Sequence, residues 1–137
     1  MLSISELTAS YGVGPVLDNV SLTVEEGAIY GLVGPNGHGK TSLLRAISGV
    51  MPQQSGTVLF RGQPFRGLNP EAIAARGIVH VPQGDLVYKN MTILENLQVG
   101  GYTNASAAIT KRQLRKVFDL FPKLEERAGQ IASSLSG

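Results

Sequence analysis

The sequence predicts an α/β fold organised around a phosphate-binding loop, and three observations predict it. The stretch Gly34-Pro35-Asn36-Gly37-His38-Gly39-Lys40-Thr41 fits G-x-x-x-x-G-K-[ST], with Gly34, Gly39, Lys40 and Thr41 at the four fixed positions. Its flanks suit that motif: residues 28–33 (AIYGLV) read as a short buried strand, and residues 41–47 place Leu43, Leu44 and Ile47 on one helical face. Through the middle of the chain strands alternate with helices, the pattern of a parallel sheet. The opening strands are joined by turns and imply an antiparallel addition at the front.

In chain order, residues 2–8 form a first strand with Leu2, Ile4 and Leu7 inward, and residues 11–15 (YGVGP) turn the chain. Leu17, Val20, Leu22 and Val24 give a second strand, closed by Glu25-Glu26-Gly27. The loop's helix ends near Ser48-Gly49, with Pro52 as a stop. Residues 57–60 (TVLF) are β-branched and aromatic and read as a strand. Asn69-Pro70-Glu71 starts a short helix with Asn at the N-cap, Pro at the first helical position and an acid in the first turn. That helix closes at Arg76-Gly77, and residues 78–81 (IVHV) make another apolar strand ending at Pro82-Gln83-Gly84. Thr92-Ile93-Leu94-Glu95 is a capping box opening a helix to about Val99. After a loop, a helix from Thr110 carries Leu114, Val117, Phe118 and Phe121 on one face and Lys111, Arg112, Arg115 and Lys116 on the other, and Pro122 ends it. That basic face reads as solvated surface.

The loop's chemistry follows from its residue types. Glycines let the backbone wrap closely, so that successive N–H groups point at bound phosphate and the following helix adds its positive end. Lys40 would reach the β- and γ-phosphates, and the Thr41 hydroxyl would ligate Mg²⁺.

Composition bounds the remainder. The 137 residues suffice for one modest core, and 42% hydrophobic with 16% charged residues argues against disorder. A net charge of +2 gives no reason to expect nucleic acid or an anionic membrane as a partner. There is no cysteine, which excludes disulfides, thiolate metal sites and a Cys nucleophile. No run reaches the length of a membrane span and no signal peptide opens the chain, so the expectation is a soluble, cytoplasmic protein that meets a membrane only through a partner. His80 has no second histidine or carboxylate at ligand spacing, so a packed or edge position is expected for it.

The phosphate loop alone leaves kinases, GTPases, recombinases and transport ATPases open. Tyr11 in a turn after the first strand, Gln83 after an apolar strand, and Leu135-Ser136-Gly137 after a helical segment narrow the field. In order and spacing these features resemble the nucleotide-binding domain of ABC transporters over the whole chain. Residues 76–84 (RGIVHVPQG), 91–97 (MTILENL) and 120–127 (LFPKLEER) look like the ATPases of branched-chain amino-acid importers. The ATPases of urea or amide importers are closely similar. A non-transport P-loop ATPase, or a nucleotide-binding fragment without activity, also stays open.

The resemblance implies a P-loop ATPase fold, with an ATP-binding core and β subdomain over about residues 1–90 and a helical subdomain over about 91–137. It implies that Tyr11 stacks on adenine. Residues Gly34, Pro35, Asn36, Gly37, His38, Gly39, Lys40, Thr41 and Ser42 would cradle the ATP phosphates, with Thr41 or Ser42 and Gln83 on Mg²⁺. Lys40 and Gln83 are the residues it implies in catalysis. Ser136 and Gly137 would contact the γ-phosphate held by a second nucleotide-binding subunit. The Gln83 loop and the helical region would meet integral membrane permease subunits, which receive substrate from a periplasmic or extracellular binding protein. The subunit would then sit on the cytoplasmic face of the membrane, energising import by ATP hydrolysis.

Two departures stand out. His38 occupies a loop position where the family usually carries a small residue; the backbone cradles there, so binding should survive. The sequence also carries neither the Gly-Gln continuation of the signature nor the Walker B aspartate, catalytic glutamate and switch histidine. The resemblance therefore implies a truncated copy that binds nucleotide weakly at most, does not turn it over, and leaves the edge of the phosphate-loop strand unpaired and prone to aggregation.

Overall fold

In the computed structural model, residues 1–12, 14–84 and 86–134 are described. Contacts divide the chain into two units, Met1–His80 and Val81–Gly137.

The first unit is built on a four-stranded antiparallel sheet in the order β2-β1-β3-β4, from β1 (Leu2–Ala9), β2 (Leu17–Val24), β3 (Gln53–Phe60) and β4 (Gln63–Pro64). Helices α1 (Lys40–Ile47) and α2 (Pro70–Ala75) belong to the same unit. Ile4 and Leu7 are both buried although three residues apart, which a regular strand forbids because its side chains alternate. The register slips between them, and Glu6, at φ 50°, is the extra residue of a bulge. Asn19, also at φ 50°, lies between Leu17 and Val20 and accounts for the same spacing in β2. Gly56 faces the β1 bulge at φ +85°; a Cβ there would overlap the Glu6 carbonyl group and the Leu7 Cα, so only glycine lets β1 and β3 cross this closely.

One core joins sheet and helix. Ile4, Leu7, Ala9, Leu17 and Val58 from the strands cluster with Leu43, Ala46 and Ile47 of α1 and with Met51, Phe65 and Ile73. Each fully buried large side chain in such a cluster contributes roughly 1.5–3 kcal/mol. Leu44, expected on the inward face of α1, is exposed; Ala46 takes that place. Asn69 caps α2 by accepting from the Ala72 N–H at 2.9 Å, with Pro70 in the first turn as expected. The two-residue strand β4 has no counterpart in the sequence reading.

The apolar runs 28–33 and 78–81 differ from expectation. Among the described residues neither pairs into a sheet, and Ile29, Val33, Val79 and Val81 are 101%, 90%, 75% and 77% exposed. The reason is one of partners. A buried parallel strand needs a hydrogen-bonding neighbour on each side, and these two runs do not pair with each other. The antiparallel sheet is therefore the one that forms.

The second unit is helical: α3 (Ile93–Gly100), α4 (Ala107–Leu120), α5 (Pro122–Glu126) and a single 3₁₀ turn, Ala132–Ser134. The capping box at Thr92 is present in full, with the Glu95 N–H donating to Thr92 Oγ1 at 3.2 Å and the Thr92 N–H donating to Glu95 Oε2 at 2.7 Å. Those bonds from Thr92 hold the Glu95 carboxyl below the usual carboxylate range. Helix α4 begins earlier than its apolar face suggested, because the Ser106 hydroxyl accepts from the Ile109 N–H. Pro122 ends α4 and opens α5, whose first turn needs no N–H. Phe118 is buried, whereas Phe121 lies outside helical geometry and is exposed, so it does not extend the apolar face. The start of α3 and the residue two positions ahead of it are fastened to residues 128–132 by Ile93 N–H to Gln130 O, Leu94 N–H to Ala128 O and Ala132 N–H to Met91 O. Arg115 pairs with Asp119 and Glu125 at 3.0 Å each on the exposed basic face.

Candidate functional site

The phosphate loop enters α1 as its motif requires. Gly34, Gly37 and Gly39 lie at φ 154°, 84° and 80°, a succession that turns backbone N–H groups inward. Gly39 is the N-cap of α1 and supplies no side-chain cap, so the first N–H groups of the helix remain available to an anion. Glycine is needed at this position for a second reason. A Cβ at Gly39 would come within 3.0 Å of Leu17 Cδ2 and 3.3 Å of the Val16 carbonyl, because the start of β2 packs against the end of the loop.

Lys40 folds back over the loop, its ammonium donating to the Gly34 carbonyl at 2.7 Å and the Pro35 carbonyl at 2.6 Å. Among the described residues the cation is thus met by two carbonyl dipoles of its own loop. Phosphate oxygens would offer it a far stronger, charge-assisted partner. His38 is exposed and its Nδ1 lies 3.2 Å from the Asn36 carbonyl, within its own loop. Thr41 is exposed and Ser42 half-buried at the first turn of α1, where a hydroxyl ligand to a phosphate-bound cation has to stand. Among the described residues no three His, Cys, Asp or Glu side chains gather as a metal site.

Tyr11 lies beside this loop. Its turn is closed by the Val16 N–H donating to the Ala9 carbonyl at 2.9 Å, and Val16 and Leu17 are the residues that abut Gly39. Tyr11 is 55% exposed, and Arg45 of α1 donates to the phenol oxygen at 3.2 Å. Gln83 is exposed in the second unit, and Ser136 and Gly137 lie outside the described residues.

Three side-chain contacts, each within its own unit, were not foreseen. Arg45 reaches Tyr11 across the turn, and helix position alone gives no sign of it. Ser48 at the end of α1 receives His80: the serine hydroxyl donates to the Leu44 carbonyl at 2.9 Å, so His80 Nδ1, 3.3 Å away, is assigned as the N–H donor. Asn96 ties down the segment before α3, accepting from the Tyr88 N–H at 2.7 Å and donating to the Thr92 carbonyl at 2.9 Å. The second unit has a concavity of about 370 Å³ between α3 and α4, and the first has one of about 340 Å³ beside Gly49 and Phe65 that no loop residue lines. Residues 34–38 are exposed and Gly39 and Lys40 half-buried, so the loop lies at the surface.

An antiparallel sheet backed by the phosphate-loop helix, with a separate helical unit, defines a P-loop nucleotide-binding cassette. The family model described as ABC transporter matches residues 17–137, and the chain belongs to that family. The branched-chain amino acid transport ATP-binding protein BraG of Pseudomonas aeruginosa is 36% identical over 137 residues, covering 100% of this chain and 58% of BraG. The probable branched-chain amino acid transport ATP-binding protein LivF of Archaeoglobus fulgidus is 34% identical with the same coverage of both chains, 100% and 58%. The ADP conformation of an ATP-binding cassette of an ABC transporter superposes with a TM-score of 0.81 at 28% identity, over 100% of this chain and 59% of that one. The chain thus spans about 58% of the length of these two curated relatives. No helix among the described residues is long and apolar enough to cross a membrane.

Proposed function

We propose that this chain is the nucleotide-binding portion of an ATPase subunit that energises a membrane importer, with branched-chain amino acids as the transported substrate. The observation that carries the reading is the Gly34–Thr41 loop itself, with glycines at positive φ and the Lys40 ammonium poised on the Gly34 and Pro35 carbonyls at the start of α1. The names of BraG and LivF support the substrate class.

In this reading residues 34–42 hold the phosphates, with the Lys40 charge on the β- and γ-phosphates, and Tyr11 stacks on the base. Thr41 or Ser42 and Gln83 hold Mg²⁺, which supplies neutralisation of phosphate charge. Ser136 and Gly137 contact the nucleotide of a second subunit, the Gln83 loop and helical region dock on permease subunits at the cytoplasmic face, and an external binding protein delivers substrate. The β subdomain and ATP-binding core occupy about residues 1–90 and the helical subdomain about 91–137. The exposed apolar faces of 28–33 and 78–81 are surfaces that further strands of the cassette would cover, and the water-activating carboxylate is assigned to that remainder. The chain alone would bind nucleotide weakly and not turn it over.

Phosphoryl transfer depends on positioning and charge, and removing one preorganised donor costs about 10²–10³-fold in rate. Lys40→Ala in the whole cassette is expected to abolish measurable turnover. ATPase activity equal to the unsubstituted cassette would sink the assignment.

A further inference from the structure

The turn that carries Tyr11 is fixed at more points than a surface turn needs. Ser10 is buried, only 3% exposed, and its hydroxyl accepts from the Gly12 N–H at 2.9 Å. The Val16 N–H closes the turn on Ala9, and Val16 and Leu17 rest against Gly39 of the phosphate loop. Backbone on both sides of Tyr11 is therefore set relative to the loop. What remains free in such an arrangement is the ring, and Arg45 takes up that freedom by donating from Nη1 to the phenol oxygen at 3.2 Å. Among the described residues no carboxylate pairs with Arg45, so its guanidinium is directed to the phenol. Arg45 lies five residues after Lys40 on α1, about 7.5 Å further along the helix axis. One helix thus carries the phosphate-binding lysine and the group that holds the aromatic ring.

We propose that Arg45 is a positioning residue for nucleotide-base recognition: it orders Tyr11 so that the exposed ring face is presented beside the phosphate loop. The inference rests on the reading of Tyr11 as the base platform. Its physical content is preorganisation. An exposed tyrosine loses rotamer freedom when a base stacks on it, and a bond made before the nucleotide arrives removes part of that cost. Stacking is tolerant of base identity, so Arg45 affects ATP and GTP alike.

Nucleotide binding is measured on the full chain for Tyr11→Ala, Tyr11→Phe, Arg45→Ala and the double variant Tyr11→Phe/Arg45→Ala, using ATP and inorganic tripolyphosphate. Tyr11→Ala is expected to weaken ATP binding about ten-fold, within the range for loss of one base stack. Arg45→Ala is expected to weaken ATP about three-fold, the scale of one exposed hydrogen bond, and to leave tripolyphosphate unchanged. Tyr11→Phe keeps the ring and should match Arg45→Ala, with no further loss in the double variant. Arg45 is exposed, so its removal should spare the fold. Unchanged ATP binding in Arg45→Ala beside a weakened Tyr11→Ala would overturn the inference and leave the stacking reading standing. Equal losses for ATP and tripolyphosphate would make Arg45 a phosphate ligand and also overturn it, as would additive losses in the double variant. Unchanged ATP binding in Tyr11→Ala would remove the platform and the inference with it.

Discussion

Replacing Gly39 by alanine perturbs the cradle at its tightest point. The residue is at φ +80°, where a side chain costs roughly 1–2 kcal/mol. The new Cβ would meet Leu17 Cδ2 at 3.0 Å, a side-chain end that can yield, and the Val16 carbonyl at 3.3 Å, which cannot move without β2. Against this, alanine restricts the unfolded chain and returns about 0.4–1 kcal/mol. Those two terms leave a loss of about 0–1.6 kcal/mol, and the contact with the Val16 carbonyl adds to it, so a net loss of about 1–2 kcal/mol is expected, a drop of roughly 3–8 °C in melting midpoint for a chain of this size. Gly31→Ala is the matched control, since Gly31 lacks a positive φ and a Cβ there would meet nothing within 4 Å. Melting of both variants is followed by far-UV circular dichroism, with ATP binding measured in parallel. Gly39→Ala should melt lower and bind ATP more weakly, while Gly31→Ala tracks the parent. Equal behaviour of the two variants would refute the account of how β2 seats the loop.

Gly56→Ala should be more damaging to stability and should not act on nucleotide contacts directly. Its Cβ would overlap the Glu6 carbonyl, which is backbone and cannot step aside, and a loss of at least about 3 kcal/mol is expected; native-like melting would mean that β1 and β3 do not cross as described. Thr92→Ala removes the cap of α3 and should cost about 1 kcal/mol, read as faster amide exchange at residues 93–96. The same cap gives acid sensitivity. The folded-state pKa of Glu95 is lowered by its bonds from Thr92, so its contribution is complete above the ordinary carboxylate range and is lost as pH falls through the lowered value. Protection of the α3 amides, taken relative to the intrinsic exchange rate at each pH, should therefore fall in acid in the parent and be less pH-dependent in Glu95→Gln.

Much of this was legible in the sequence because short-range chemistry wrote it there. The phosphate loop, the Asn69 cap and the Thr92 capping box each depend on residues within a few positions of one another, and the structure has all three. Strand positions were legible too, but not the bulges at Glu6 and Asn19, which make three-residue spacings inward-facing. The runs 28–33 and 78–81 carry strand sequence without strand pairing, since apolar composition states a need for partners and cannot supply them. Leu44 and Phe121 were misplaced because face arguments fail at a helix flank and beyond a helix end. Arg45 with Tyr11, and Ser48 with His80, join residues over thirty apart, which no local pattern reports.

The central claim is that residues 34–41 bind nucleotide phosphates through Lys40. Calorimetric titration of ATP with Mg²⁺ into the full chain and into Lys40→Ala tests it most directly. Weak, saturable binding at one site in the parent and its loss in the variant are the predicted results. Binding that survives Lys40→Ala unchanged, or a parent chain that takes up no ATP at all, would contradict it.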